Sequence, residues 1–564
     1  MRPPPELPYG GPLSRRIGWR PLLIFALTVW AYSSAVTSPL LFDDLPSIVS
    51  NASIRRLIPL SGPLSPPRET PVTGRPLVNL TLAINYAVDG LGVRGYHVTN
   101  LALHVFVAFL LFGVIRRALA LPRVSPAVSA HADNIAFAAA LLWALHPLNS
   151  EVVNYLTQRS ESLMGLFYLL TVYASIRALN KDEALRWTLV AIIACVAGMA
   201  SKESMVTAPV MIALIDRILF FKSWRDLFWS RRGLYAGLAA SWMVLGALLW
   251  DVPSTSTSFS SGVSSWIYLL NQAQLIPRYL GLVLWPRALV LDYGIPRPLT
   301  FSAVLPGFAL IAVLLVMTVV ALWRWPRVGL LGAWFFITLA PSSSVVPVVT
   351  QVGAERRMYL PLMAIVMLVV LAAHALLRRM QPSRNARTTR AERPAIVLIP
   401  AVVLVVVCGL MISGITLRNR EYSSTLTMAQ TIVERWPSGR GHFLLASELL
   451  VAGRHDEAMT HLRESSKDFP GALYQLGSEL VAAGDLDSGV TALQGFITAQ
   501  PDSAFVIPAR ETLSRVYLNQ NKLDLAAEQL RLLLVRVPNH AAARRLMGDI
   551  SQRKTNPAQV GGRE

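Results

Sequence analysis

Long apolar runs separated by short polar segments fill residues 21–415 of this 564-residue chain. About 20 apolar residues in a helix cross the hydrocarbon core of a bilayer. The pattern therefore predicts a membrane domain over 21–415 with about eleven spans, at 21–42, 98–118, 133–149, 159–178, 185–201, 204–221, 233–251, 301–323, 328–341, 358–377 and 394–415.

One further apolar run, 266–285, is interrupted by Asn271, two glutamines, Pro277 and Arg278. Polar side chains and a proline at this density are unfavourable in a helix that faces lipid. We therefore expect this run to lie at the membrane interface or to re-enter the membrane from one side.

The pattern changes after the last apolar run. Residues 416–440 predict a linker or first helix, and 441–564 are polar with a helical period. Small residues, a leucine and a proline recur there at matched spacing, which resembles the tetratricopeptide repeat, in which two helices pack closely and proline ends the second. The three units are marked by Leu445, Ala446, Ala458, Leu462 and Pro470, by Leu476, Gly477, Gly489, Leu493 and Pro501, and by Leu513, Ser514, Ala526, Leu530 and Pro538, with a capping helix at Ala541 to Ile550.

Composition agrees with an all-α membrane protein. The chain is 53% hydrophobic and 15% charged, which is too apolar for a soluble globular protein. Its net charge of +19 comes from short basic clusters between apolar runs, so membrane topology explains it better than nucleic-acid binding does. Cys195 and Cys408 both lie in apolar runs, and neither a disulfide framework nor a thiolate metal site is expected.

The basic clusters also predict orientation, because cytoplasmic loops are enriched in Lys and Arg. They place the tail 1–20 in the cytoplasm, followed by an uncleaved first span of the cytoplasmic (inner) membrane. The outward loops are then 43–97, 252–299 and 342–357, and the repeats lie on that outer, periplasmic side. The cytoplasmic clusters are Arg116 to Arg123, Arg177 to Arg186, Lys222 to Arg232, Arg324 to Arg327, and Arg378 to Arg393.

The strongest candidate for chemistry is the acid pair Asp43-Asp44, directly after the first span. Carboxylates at a membrane boundary are costly, which favours a function, although a helix cap or a solvated loop explains them as well. On the second span, His97, Asn100 and His104 share one helix face. This spacing is equally typical of a hydrogen-bonded seam between helices.

More polar residues gather at the predicted outward ends of spans. Taken singly, each is typical of a loop end or a weak ion pair. Taken together, they predict a site for an anionic, lipid-tethered substrate, in which cations hold phosphate and a carboxylate moves a proton. These residues are His146, Glu151, Arg159, Lys202, Glu203, Arg278, Glu355 and Arg356.

Several stretches resemble the transmembrane and tetratricopeptide-repeat O-mannosyltransferases, which are GT-C glycosyltransferases related to the protein O-mannosyltransferases. The high Arg and Ala content favours a bacterial member of this family. The repeat array is shorter than in its animal members. The stretches are Phe42-Asp43-Asp44 with Asn51, Arg75-Pro76-Leu77 with Asn85-Tyr86 and Tyr96-His97, His146-Pro147 with Glu151, Lys202-Glu203, and Ala354-Glu355-Arg356 with Tyr359-Leu360-Pro361.

This resemblance implies transfer of mannose or another hexose, with inversion, from a polyprenyl-phosphate donor to Ser or Thr hydroxyls outside the cytoplasmic membrane. Asp43 or Asp44 would act as general base. The donor phosphate would be bound by Lys202, Arg278 and Arg356. The residues left to orient sugar or acceptor are His97, His146, Glu151, Arg159, Glu203 and Glu355.

The resemblance also sets expectations for cofactors and partners. No compact ligand motif is present, so no cofactor is expected and a divalent metal is disfavoured. The partners are the lipid-linked sugar, membrane lipid, and a protein acceptor that the repeats hold over the site. The repeats could equally dock another envelope protein.

Three other functions fit parts of the pattern. An envelope O-oligosaccharide ligase would need a large late outward loop, whereas 342–357 is short. A non-catalytic scaffold would tolerate loss of both acids, Asp43 and Asp44. A transporter would need polar residues at mid-bilayer depth and inverted repeats, and His104 is the only strong mid-span candidate.

Overall fold

The computed structural model describes residues 18–68, 70–121, 124–250, 263–344, 346–380 and 392–555. Most of the predicted tail 1–20, part of the loop 252–299 and most of the basic run Arg378 to Arg393 lie outside the described residues. The described residues form helices and connecting loops, without a β-strand. The predicted all-α class is thereby confirmed.

The chain divides into two compact units, Met1–Met428 and Ala429–Glu564. The helices up to the end of the first unit are α1 (Arg20–Tyr32), α2 (Pro76–Asp89), α3 (Val93–Leu119), α4 (Pro126–Ser129), α5 (Ala132–Ala144), α6 (Ser150–Asn154), α7 (Arg159–Arg177), α8 (Ala184–Met199), α9 (Ala208–Leu219), α10 (Trp224–Ser230), α11 (Arg232–Leu249), α12 (Ser265–Leu284), α13 (Phe301–Arg324), α14 (Pro326–Leu339), α15 (Pro361–Met380) and α16 (Glu392–Glu421).

The remaining helices are α17 (Thr425–Arg435), α18 (Gly439–Val451), α19 (His455–Ser465), α20 (Ala472–Ala482), α21 (Leu486–Ala499), α22 (Val506–Asn519), α23 (Leu523–Arg536) and α24 (Ala541–Thr555).

Five of the described helices, α3, α11, α13, α15 and α16, are long and apolar enough to cross a membrane, and two bent helix pairs raise that number to seven. Only 6% of the apolar window of α13 is buried inside the protein, so its apolar surface faces outward and requires lipid around it. A multi-pass membrane protein is therefore confirmed, whereas the number of eleven spans stays a prediction.

The core of the first unit is formed by α3, α5, α7 and the start of α15. Trp143 of α5 is wholly buried, and its indole N–H donates to the carbonyl of Tyr359 at 3.0 Å. A Cβ at Gly165 of α7 would lie 2.7 Å from the ring of Tyr359, so only glycine allows α7 and this segment to approach so closely. This contact fixes the segment just before α15, which carries Glu355 and Arg356.

Helix α12 lies along the 342–357 segment over its whole length. The hydroxyl of Tyr268 near its start donates to the carbonyl of Ser342 at 2.7 Å. Near its end, the backbone N–H of Ala354 donates to the hydroxyl of Tyr279 at 2.8 Å. The helix also packs on α13, and the expectation that it lies at the interface or re-enters the membrane stays a prediction.

In the second unit, α18 packs on α19, α20 on α21, and α22 on α23. The small and leucine positions of the predicted units are buried: Ala458, Leu462 and Leu493 are wholly inaccessible to solvent. Pro470 and Pro501 follow the second helix of their pairs, where proline ends a helix at little cost. The assignment of these pairs to tetratricopeptide repeats, and the domain boundaries drawn from the sequence, stay predictions.

Candidate active site

The two acids of the first loop occupy different environments. Asp43 is half-buried, whereas Asp44 is wholly buried. The carboxylate of Asp44 accepts hydrogen bonds from the backbone N–H of Leu41 at 3.0 Å and from the N–H and hydroxyl of Thr157 at 2.7 and 2.6 Å. Burial raises the pKa of Asp44 to about 7, against the opposing effect of these hydrogen bonds.

The backbone explains why neighbouring acids diverge. Phe42 has φ of 32°, a left-handed conformation that bulky residues rarely adopt. This turn directs Asp44 inward, while the backbone N–H of Asp43 donates to the hydroxyl of Tyr155 at 2.8 Å. Strain of this kind is concentrated at functional sites.

Tyr155 contacts the acid pair through its hydroxyl, which accepts a hydrogen bond from the backbone N–H of Asp43. Burial raises its pKa well above the usual value, and the negative charges of Asp43 and Asp44 raise it further, so the phenol stays protonated. The charge of Arg356 also acts on this phenol. Through its hydrogen bond with Asp43, Tyr155 connects the loop after α1 with the segment between α6 and α7.

Arg356 forms a buried ion pair with Glu151. Its backbone N–H donates to Glu151 Oε2 at 2.8 Å, and its guanidinium pairs with Glu151 Oε1 and with Gln351. The side chains of Arg356 and Glu151 are 15% and 1% exposed. Burial would lower the pKa of Arg356, but the attraction of Glu151 holds it above its usual range, so Arg356 keeps its charge.

Two more ion pairs lie close by. Lys202 Nζ lies 2.6 Å from Glu161 Oε1, and Arg75 Nη2 lies 3.2 Å from both carboxylate oxygens of Glu203. Burial lowers the pKa of Lys202 and Glu161 opposes that effect; the charges of Arg75, Glu203 and Arg356 also reach Lys202. The three pairs thus form one ion-pair cluster, made of Arg75, Glu151, Glu161, Lys202, Glu203 and Arg356.

Arg278 and Glu355 belong to a neighbouring group centred on Tyr293. Glu355 Oε1 accepts from the N–H of Val290 at 2.6 Å and from the hydroxyl of Tyr293 at 3.1 Å, and Arg278 Nε donates to the same hydroxyl at 3.2 Å. Burial raises the pKa of Glu355 to about 7, and the charge of Arg418 opposes the shift. Since Glu355 and Arg356 are consecutive, one backbone segment carries residues of both groups.

Other predicted site residues have partners within the fold. His97 Nε2 lies 3.0 Å from the carbonyl of Ser38, and His146 Nε2 lies 3.0 Å from that of Val283. Arg159 is wholly buried, and its guanidinium donates to the side chains of Asn100 and Asn85 at 2.7 and 2.6 Å. These contacts make a hydrogen-bonded seam, and the orienting role expected for these residues stays a prediction.

The structure adds residues that the sequence did not single out as site residues. Tyr155 carries no charge and lies in no recognisable pattern. Glu161 and Arg75 belong to conspicuous stretches, but their partners are 41 and 128 residues away. Among the described residues, no group of three or more His, Cys, Asp or Glu side chains could hold a metal ion.

Comparison with known proteins gives consistent relatives. A family model described as dolichyl-phosphate-mannose-protein mannosyltransferase matches residues 127–250. The chain is 27% identical over 204 residues to a protein O-mannosyl-transferase of Caenorhabditis elegans, covering 34% of this chain and 27% of that protein. It is 28% identical over 222 residues to human protein O-mannosyl-transferase TMTC4, covering 36% and 30%. With Drosophila melanogaster Tmtc1 it shares 26% identity over 300 residues, covering 48% and 33%.

These matches span about a third or less of the length of the relatives. Among solved structures, ArnT from Cupriavidus metallidurans bound to undecaprenyl phosphate aligns with 84% of this chain and 79% of its own, at a TM-score of 0.37 and 15% identity. The matched family model covers Glu151 and Lys202, two of the residues that carry the resemblance seen in the sequence. Over about a third to a half of its length, the chain is similar to protein O-mannosyl-transferases.

Proposed function

We propose that the protein transfers a hexose, mannose by analogy with the names of its relatives, from a polyprenyl-phosphate donor to Ser or Thr hydroxyls of proteins. The reaction takes place at the outer side of the cytoplasmic membrane, and Asp43 is the general base. The observation that carries the proposal is that the half-buried carboxylate of Asp43 has no hydrogen-bond or ion-pair partner among the described residues, while its backbone N–H donates to Tyr155, on whose phenol the charge of Arg356 also acts.

Asp43 suits this role better than Asp44. A general base has to come within hydrogen-bond reach of the proton it removes. The carboxylate of Asp44 is inaccessible and already accepts three hydrogen bonds. Asp43 is partly accessible, so its carboxylate can reach an incoming hydroxyl.

The ion-pair cluster supplies the positive charge for the leaving phosphate. The acceptor oxygen attacks the anomeric carbon as the bond from that carbon to the phosphate oxygen breaks, and the hydroxyl proton passes to Asp43. The electron pair of the broken bond remains on the lipid phosphate. Lys202 and Arg356, helped by Arg75, stabilise that charge through charge-assisted hydrogen bonds.

The carboxylates of the cluster keep these cations charged before the donor binds. Buried cations without partners would lose their charge or destabilise the fold. Glu151 and Glu161 pair with Arg356 and Lys202, so both cations are present when phosphate arrives. Arg278 belongs to the neighbouring group, where it donates to the hydroxyl of Tyr293. It would therefore act on the donor phosphate from further away than Lys202 and Arg356 do.

The helical unit Ala429–Glu564 is proposed to hold the acceptor polypeptide. Stacked helix pairs build extended surfaces that bind peptide segments, and tethering raises the effective concentration of the acceptor at the site.

A transfer assay tests the proposal. The full-length protein in lipid nanodiscs is given radiolabelled polyprenyl-phosphate mannose and a Ser/Thr-rich peptide, and labelled peptide is counted. Asp43→Asn is expected to lose roughly 100- to 10,000-fold in rate, the usual value of general-base catalysis. Asp89→Asn, at an exposed acid of the same predicted loop, serves as the control and keeps its activity.

Undiminished transfer by Asp43→Asn would overturn the role of Asp43 as general base, whereas no transfer by the unmodified protein would favour a non-catalytic scaffold. Transfer of preassembled oligosaccharides, with none of single hexoses, would instead favour a ligase.

A further inference from the structure

An apolar cavity of about 310 Å³ lies among α3, α7, α9, α14 and α15. Its size is at the lower end of the range for small-molecule sites, roughly 300–1,000 Å³. Trp334 and Met363 line one part of the cavity, and Leu119, Ile176 and Leu219 line another.

The rim of the cavity at Arg327 lies at the helix ends opposite the ion-pair cluster, and the cavity extends from there to Met363 near the start of α15. Helix α7 begins at Arg159, two residues before Glu161 of the cluster, and Ile176, near its other end, lines the cavity. Lys202 precedes α9, whose last residue, Leu219, also lines the cavity. The cavity therefore opens towards the membrane face away from Asp43.

Hydrocarbon is the occupant that suits this lining. Apart from Ser125 and Arg327, the side chains around the cavity are apolar or, in Trp334, mostly so. Water needs two to four polar partners to stay in a buried site, and apolar cavities remain dry. The cavity is partly open rather than an enclosed void, so a hydrocarbon chain can enter it. Because α3 and α15 are membrane-spanning candidates, lipid chains surround the cavity.

Arg327 adds a charge to this lining. Its side chain is exposed, and it makes no hydrogen bond or ion pair within the described part of the chain. Other arginines at the same helix ends have partners: Arg116 pairs with Asp133, and Arg117 donates to the hydroxyl of Tyr173. A guanidinium without a partner at the rim of an apolar cavity matches a lipid phosphate, which it can bind through two parallel hydrogen bonds.

We propose that this cavity binds an acyl chain of an anionic phospholipid, with the lipid phosphate on Arg327. The bound lipid belongs to the leaflet opposite Asp43. The sugar donor is a different lipid, because its phosphate has to lie beside Asp43, at the other ends of the same helices. The site therefore does not depend on the proposed reaction.

Native mass spectrometry of the full chain tests the site after reconstitution with equal amounts of phosphatidylglycerol and phosphatidylcholine. One retained phosphatidylglycerol is expected, preferred about fivefold over phosphatidylcholine, the effect of one cation near a membrane surface. Arg327→Gln should abolish the preference. Arg324→Gln, at an exposed arginine that does not line the cavity, should keep it.

Filling the cavity is the second arm. Ala364→Phe places a ring where Ala364 lines the cavity and should remove the retained lipid altogether. Ala118→Phe fills it from α3 and replaces the first variant should that one fail to fold. Four results would each overturn the proposal. Arg324→Gln could lose the preference as Arg327→Gln does, or phosphatidylcholine could be retained as well as phosphatidylglycerol. The protein could retain polyprenyl phosphate in place of phospholipid, or the filled variant could retain as much lipid as the wild type.

Discussion

Thr157 holds the carboxylate of Asp44 through two hydrogen bonds, from its backbone N–H at 2.7 Å and from its hydroxyl at 2.6 Å. The two residues are 113 positions apart, so this contact joins the loop after α1 to the segment that leads into α7. Because Asp44 is committed to this junction, we propose its neighbour Asp43 as the acid that takes part in the reaction.

The two acids should therefore respond differently to the same change. In Asp44→Asn, the amide presents only one oxygen, or its N–H₂ group, to the three hydrogen-bond donors around Asp44. Because at least one donor loses its partner, the free energy of unfolding should fall by about 1–3 kcal/mol. Asp43→Asn should leave stability within about 0.5 kcal/mol of the wild type, as surface changes do, while losing transfer. Thermal unfolding and the transfer assay, run on both variants, check this. Greater destabilisation by Asp43→Asn would contradict the division of roles.

Glu355 predicts a pH dependence of stability. Burial raises its pKa to about 7, with Arg418 opposing and Glu151 reinforcing the shift. A carboxyl with a raised pKa stabilises the fold fully below its ordinary value of 4.5, and that contribution is lost as the pH rises through about 7. The melting temperature should thus fall from about pH 5 to 8, with Glu355 adding at most about 1.4 kcal/mol per pH unit.

Glu355→Gln should flatten that slope, because glutamine keeps the neutral shape without titrating. Asp44, whose pKa is raised in the same direction, should leave a residual slope. Glu434→Gln, at an exposed acid, is the matched control and should retain the wild-type slope. An unchanged slope in Glu355→Gln would show that Glu355 does not titrate in this range.

Gly477 predicts how tightly α20 and α21 pack. A Cβ at Gly477 would lie 2.7 Å from Leu493 Cγ and 3.0 Å from the carbonyl of Gly489, whereas a Cβ at Gly495 would meet only Leu473 Cδ1 at 3.5 Å. Replacing Gly with Ala gains about 1 kcal/mol of helix propensity at either site. The difference in stability between the two variants therefore measures the cost of the steric clash at Gly477. Gly477→Ala should lose about 1–3 kcal/mol from overpacking.

Hydrogen exchange of residues 472–499 in the full-length protein measures this effect. Faster exchange is expected in Gly477→Ala, and equal or slower exchange in Gly495→Ala. Equal protection in the two variants would mean that the helices can separate without cost.

Local patterns were sufficient to predict an all-helical, multi-pass membrane protein and much of the ion-pair cluster. Lys202, Glu203 and Arg356 stand at the ends of apolar runs, where charge is conspicuous because it is costly near lipid. The interrupted run around Arg278 forms α12, which contacts the 342–357 segment and packs on α13, and its expected position at the membrane interface stays a prediction.

Long-range pairing was not predictable in the same way. Nothing near Arg159 indicates that Asn100 and Asn85 will surround it, so a buried arginine looked like a site residue. The adjacent acids were indistinguishable as well, because their different burial depends on the left-handed backbone of Phe42 and on Thr157. Such features arise from tertiary packing, and the hydrophobic periodicity of the sequence does not predict them.

The Glu151–Arg356 pair separates a structural role from a catalytic one. Glu151→Gln or Arg356→Gln alone leaves a buried charge without its partner and should cost about 3–5 kcal/mol. The double variant removes both charges and should recover much of that stability. Transfer should stay low in the double variant, because the cation that stabilises the leaving phosphate is gone. Thermal unfolding and kcat/KM are measured for the wild type, the two single variants and the double variant. If the double variant recovers transfer together with stability, the role of Arg356 is purely structural.

Lys202 and Glu161 predict the alkaline limit of activity. Burial lowers the pKa of Lys202 below its usual value of 10.5, and Glu161, at 2.6 Å, is the strongest charge that raises it again. Only the protonated amine can stabilise the phosphate, so transfer should decline as Lys202 loses its proton. Glu161→Gln removes the stabilising charge and should move this decline to lower pH.

Glu203→Gln is the matched control, since Glu203 acts more weakly on Lys202 and pairs mainly with Arg75. It should move the alkaline limb less than Glu161→Gln does. Lys202→Met should remove that limb and lower kcat roughly 100- to 1,000-fold, as loss of one stabilising donor does. These limbs are read from kcat/KM of the transfer assay as a function of pH. A limb that stays in place, or moves to higher pH, in Glu161→Gln would exclude Lys202 as the group that titrates, because loss of a neighbouring carboxylate can only make an ammonium ion more acidic.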